Sequence, residues 1–133
     1  MTSQAQIAIT QEFFQKCFYG NVEDAIPLLD EHVTYSVPGS HQAAGTFEGP
    51  ASVAEHVGNL LKLTCGTIDV TQWEDWLLGV DHIGAIIKMR LQRTGRVYRF
   101  RSVYIVTMTD EDKIRRIELF FGDQAAVERV FAW

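Results

Sequence analysis

Apolar positions along this chain change their period, and the changes mark the elements. Across residues 5–19, Ile9, Phe13, Phe14, Cys17 and Phe18 recur at helical spacing, opposite Gln11, Glu12, Gln15 and Lys16. Gly20-Asn21 ends that helix and offers the next cap. A short second helix carries Ala25, Ile26 and Leu29; a helix interior rejects Pro27, so its start is expected near Asp24. Residues 32–37 alternate and read as a first strand. Residues 50–64 return to the helical period, with Pro50 at the first position and a stripe of Val53, Val57, Leu60, Leu61 and Thr64.

After Gly66 the chain turns rich in β-branched and aromatic residues. Strands are predicted over 67–78, 83–93, 96–109 and 113–122, joined by turns at Val80-Asp81-His82, Thr94-Gly95 and Asp110-Glu111-Asp112. Ala126, Val127, Val130 and Phe131 space the tail as a closing helix. Helices first and hairpin-linked strands afterwards predict an α+β domain with helices on one face of an antiparallel sheet.

Composition narrows the picture. A chain of 133 residues with 47% hydrophobic content fits one domain, 1–133, with a sizeable core. A net charge of -5 without a basic stripe argues against nucleic acid and anionic membrane as partners. No apolar run approaches the ~20 residues of a membrane span. Met-Thr-Ser-Gln-Ala-Gln at the start has neither a charged leader nor a hydrophobic core, so a cytoplasmic location is expected. Both cysteines, Cys17 and Cys65, are then expected reduced. No His-x-His or His-Glu-x-x-His occurs, so neither metal nor cofactor is expected.

The stretch Val37-Pro38-Gly39-Ser40 with Gly45 to Gly49 fixes where a strand becomes a loop and the loop a helix. Together with Ile117-Glu118-Leu119-Phe120-Phe121-Gly122-Asp123 after a charged turn, it resembles the SnoaL-like, ketosteroid isomerase-like branch of the nuclear transport factor 2-like superfamily. The resemblance covers nearly the whole chain. It implies a cone-shaped, curved antiparallel sheet wrapped around the N-terminal helices, an apolar pocket for a small hydrophobic molecule, and a homodimer formed through the outer sheet face. It implies an isomerase- or cyclase-like protein working by acid–base proton transfer on a hydrophobic carbonyl compound, or a non-catalytic binding or scaffold protein of the same fold. Two relatives' mechanisms do not carry over. Ketosteroid isomerase has its aspartate base directly before the proline, where this chain has Val37. The strand that resembles the catalytic strand of limonene epoxide hydrolase reads Arg99-Phe100-Arg101-Ser102, without an aspartate.

Three residues are candidates for chemistry. Ile117, Leu119, Phe121 and Asp123 share a parity, so a regular strand would end an apolar wall in a carboxylate. Such a wall raises a carboxyl pKa and makes the group a usable acid or base, the role the resemblance implies for Asp123. The competing reading is that Asp123 caps the last helix. His41, beyond the proline motif, is either a proton shuttle or a solvated loop histidine. Tyr35 shares parity with Val33 and Val37 and would offer its phenol to a ligand oxygen. Phe14, Phe18, Val37, Trp76, Leu119 and Phe121 are the expected ligand-lining residues, their alternative being plain core. Trp73 and Trp76 are expected on opposite strand faces. Arg99 and Arg101 are either solvated cross-strand partners or inward anchors for a carboxylate ligand.

Overall fold

The computed structural model describes residues 3–133 and runs helix, short helix, strand, strand, helix, four strands, helix. Helix α1 (Ser3–Phe18) buries Phe13, Phe14, Cys17 and Phe18, the stripe its spacing predicts. The following 3-10 helix, Val22–Leu28, is capped by the Asn21 side chain, which accepts from the Glu23 backbone N–H. Pro27 lies inside it rather than in a first turn, because the helix starts earlier than expected.

Strand β1 (Leu29–Val37) also starts earlier than its alternation shows, and Val33, Tyr35 and Val37 point inward along it. Residues 45–48, expected as loop, form a four-residue strand β2 (Gly45–Glu48) that folds back on β1. Helix α2 (Pro50–Leu63) follows with its proline in the first turn, and Gly49 enters it at φ 86°. Strands β3 (Ile68–Leu78), β4 (His82–Arg93), β5 (Arg96–Met108) and β6 (Ile114–Phe121) match the expected meander. Helix α3 (Gln124–Val130) closes the chain.

The six strands make one curved, unclosed sheet in the order β2-β1-β6-β5-β4-β3. It is mixed: β1 lies parallel to β6 and every other pair is antiparallel. The helices cover the concave side, giving the expected α+β cone. Bulges bend the sheet where the register shifts, at 70/72 and 73/75 of β3 and at Arg115 of β6 opposite 107/108. The second of these corrects the expected split of the tryptophans. One extra residue after Trp73 restores the parity of Trp76, so both face the same way and stack at 5.1 Å and 11°. Among the described residues, no helix is long and apolar enough to cross a membrane.

Candidate functional site

An apolar cavity lies between α2, the loop of residues 38–44, strands β1 and β3 to β6 and the end of α3. Its volume is about 40 Å³. At roughly 10–15 Å³ for one water, that is about three adjoining water positions. Among the described residues that line it there is no Lys, Arg, Asp or Glu.

Tyr35, Val37, His41, Leu119 and Phe121, five of the nine candidates, line this cavity. Tyr35 is fully buried, and burial first, then the neighbouring Tyr104, pushes its phenol well above the ordinary range. Tyr104 is buried too, and that burial carries its phenol to about 12. Tyr104 in turn points its hydroxyl at Met89 Sδ, 3.9 Å away. Both phenols therefore stay neutral at any physiological pH.

His41 is neither solvated nor free. It is buried, its Nε2 is 3.1 Å from the Pro38 carbonyl, and its Nδ1 accepts from the Ala43 backbone N–H at 3.1 Å. With Nδ1 an acceptor, Nε2 carries the proton and donates, so both ring nitrogens hold the loop together. The loop is clasped further from the C-terminus. Glu128 accepts from the Ser40 N–H (3.0 Å), and Gln124 donates to Pro38 (3.1 Å). Gln42 N–H and side chain donate to the carbonyls of Phe131 (2.9 Å) and Ala132 (2.8 Å), and the Trp133 indole donates to Ser40 (2.7 Å).

Asp123 does not stand in the cavity wall. The strand ends at Phe121, the chain turns at Gly122, and the exposed Asp123 carboxylate accepts from the Ala126 N–H at 3.0 Å as the cap of α3. The parity that would aim it inward stops two residues too early. Phe14, Phe18 and Trp76 also lie elsewhere. Helix α1 crosses the other half of the sheet, where Phe14 packs edge-on against Tyr104 (4.8 Å), Trp73 (5.2 Å) and Phe18 (5.6 Å). Arg99 and Arg101 are exposed, and Arg101 pairs with Glu74 across the outer sheet surface, so neither is an inward anchor.

Two cavity residues with unpaired polar atoms escaped the sequence reading. His56, on α2, is only 4% exposed and stacks on Phe47 at 4.0 Å and 21°, with the Tyr35 ring 5.1 Å away. Burial, and to a smaller extent the charge His41 would carry, lowers its imidazole from 6.5 to about 4. It is therefore neutral at pH 7, yet its Nε2 has no hydrogen-bond partner within the protein. Ser102, on β5, is 1% exposed and its Oγ has no partner there either. A buried polar atom left unpaired costs about 1–3 kcal/mol, so two lining one apolar cavity need an explanation. The signal for His56 was its place three residues after Val53 and one before Val57, inside an apolar stripe.

The geometry is that of a nuclear transport factor 2-like fold. A structure described as a nuclear transport factor 2-like protein from Burkholderia xenovorans superposes with a TM-score of 0.83, at 20% identity over 98% of both chains. The epoxide hydrolase/cyclase-like enzyme SalBIII, described for pyran ring formation in the polyether salinomycin, superposes at 0.71 and 21% identity over 90% of this chain and 92% of its own. By sequence, the chain is 30% identical to the uncharacterised protein Rv0034 of Mycobacterium tuberculosis, over 99% of this chain and 100% of that one. It belongs to the same family as that mycobacterial protein. No family model matches it. Among the described residues, no three histidine, cysteine or acidic side chains converge on a metal position.

Proposed function

We propose that this protein moves a proton on a small hydrophobic carbonyl compound held in the cavity, in an isomerase- or cyclase-type reaction, with His56 as the group that takes and returns the proton. The observation that carries the reading is the unpartnered Nε2 of a neutral, buried imidazole in an otherwise apolar wall. A carbonyl oxygen accepting from Ser102 Oγ or from the Tyr35 hydroxyl gains negative charge as the adjacent C–H loses its proton. Neutral donors fixed in an apolar site stabilise that charge strongly. His56 accepts the proton, and its imidazolium, disfavoured by burial, returns it readily at another carbon or oxygen. The cyclase-like neighbour SalBIII supports this class of chemistry on the fold.

Low basicity favours a second reading. A base near 4 abstracts only protons that the carbonyl has already made acidic, and the same cavity serves a protein that binds without turnover. We also propose a homodimer through the outer sheet face, where Ile86, Val103 and Phe120 oppose one another across three strands and leave Phe120 48% exposed. The deciding experiment follows α-proton exchange of small ketones in D₂O by NMR. Wild type is expected to speed exchange and His56→Phe to lose the acceleration while still binding. Binding without exchange in the wild type removes the catalytic reading and leaves the binding one.

A further inference from the structure

We infer that the cavity selects a small neutral molecule bearing one hydroxyl and one carbonyl group, and rejects the corresponding carboxylate. The inference rests on the cavity being the ligand site, and it adds what that ligand must be.

Two buried polar atoms set the functional groups. His56 Nε2 and Ser102 Oγ stand unpaired around one cavity, so a ligand gains a hydrogen bond at each that the protein itself does not supply. Ser102 offers a donor and an acceptor, and a neutral imidazole nitrogen offers one or the other. A molecule with one hydroxyl and one carbonyl satisfies both atoms whichever tautomer His56 adopts. A hydrocarbon leaves both unpaired and forfeits that gain.

The charge follows from what surrounds those atoms. No basic or acidic side chain lines the cavity among the described residues. Neighbouring cations are committed elsewhere: Arg93 donates to the carbonyls of Val130 (2.7 Å) and Leu63 (3.1 Å) behind the Phe131 ring, and Arg101 pairs with Glu74 outside. An ionised carboxylate entering this space loses its hydration and meets no counter-charge, a cost that outweighs two neutral hydrogen bonds. The size follows from the volume. A volume of about 40 Å³ is far below the roughly 150 Å³ of a cavity that takes a benzene ring, so the ligand has only a few heavy atoms.

The test is calorimetric titration of the intact protein at pH 7 with three probes: the small ketone hydroxyacetone, glycolate and the ring compound 4-hydroxyacetophenone. The small ketone is expected to bind saturably, the ionised glycolate at least ~100-fold more weakly. The ring compound is expected to bind more weakly than the small ketone. Ser102→Ala, which breaks no bond inside the protein, is expected to weaken the small ketone about 10-fold. His56→Phe is expected to act in the same direction. Glycolate or the ring compound binding as tightly as the small ketone overturns the inference, as does indifference to both substitutions or no saturable binding of the small ketone. Small-ketone binding with the predicted preferences but without deuterium exchange overturns the proton-transfer reading instead, so the two fail separately.

Discussion

The loop of residues 38–44 and the middle of α2 each place a buried histidine in the wall of one cavity. In the loop, His41 has both ring nitrogens bonded to backbone within three residues of itself. On the helix, His56 has backbone neighbours whose hydrogen bonds are already used by the helix, and its Nε2 is left bare. Irregular chain has unpaired backbone groups that recruit a polar side chain; a regular helix does not. A histidine in the loop is therefore consumed by its surroundings, while one on the apolar helix face stays free for a ligand. The same contrast explains Asp123, which begins a helix and is consumed by its first turn.

The largest effect should come from breaking the consumed side. Gly39 sits at φ 114°, and a Cβ there would stand 2.1 Å from Glu128 Oε1, 2.7 Å from Gln124 Nε2 and 2.9 Å from the His41 ring. Gly39→Ala must strain the backbone and push aside the side chains that clasp the loop. The expected cost is about 4 kcal/mol, combining backbone strain with lost hydrogen bonds. Urea unfolding checks it, and a cost under ~1 kcal/mol would show that the clasp is loose and that His41 is free to serve a ligand.

How much of this the sequence disclosed depends on how local the cause is. Strands β3 to β6 were legible because their β-branched runs are long and their turns carry Gly or Asp. Strand β2 was not, because four residues between Gly45 and Gly49 have too short a pattern to read. The parallel pairing of β1 with β6 joins segments about eighty residues apart and leaves no local mark. Tyr35, Val37, Leu119 and Phe121 reach the cavity as their alternation implied. His56 and Ser102 are single polar residues among apolar ones, and their patterns look the same whether the polar atom finds a partner or not. Only the fold shows that it does not.

A second measurement sharpens the free side. His56 is depressed from 6.5 unfolded to about 4 folded, so below 6.5 the unfolded chain binds the proton more readily. Its contribution is fully present above pH 6.5 and is lost as pH falls toward 4. The full loss is about 3 kcal/mol. His56→Phe removes that slope and leaves only the background from other groups, which urea unfolding between pH 4 and 7 resolves. A wild-type curve as flat as the variant's would mean that the imidazole is hydrated, and the contrast with His41 would fall. The exchange reaction should likewise stay level from pH 8 to 5 and decline only near 4, since it needs neutral His56.

The smallest effect is the most specific, because it separates a cap from a catalyst. Asp123→Ala deletes the acceptor for the Ala126 N–H and is expected to cost about 1 kcal/mol. Asp123→Asn keeps a capping oxygen and should cost a few tenths at most. Neither should alter deuterium exchange, because the carboxylate is exposed and lies outside the cavity. Thermal unfolding together with the exchange assay on both variants decides the matter. If Asp123→Asn lost exchange while keeping its stability, the carboxylate would have to reach the ligand despite its cap. The helix would then have to open during the reaction, and His56 would no longer be the group that moves the proton.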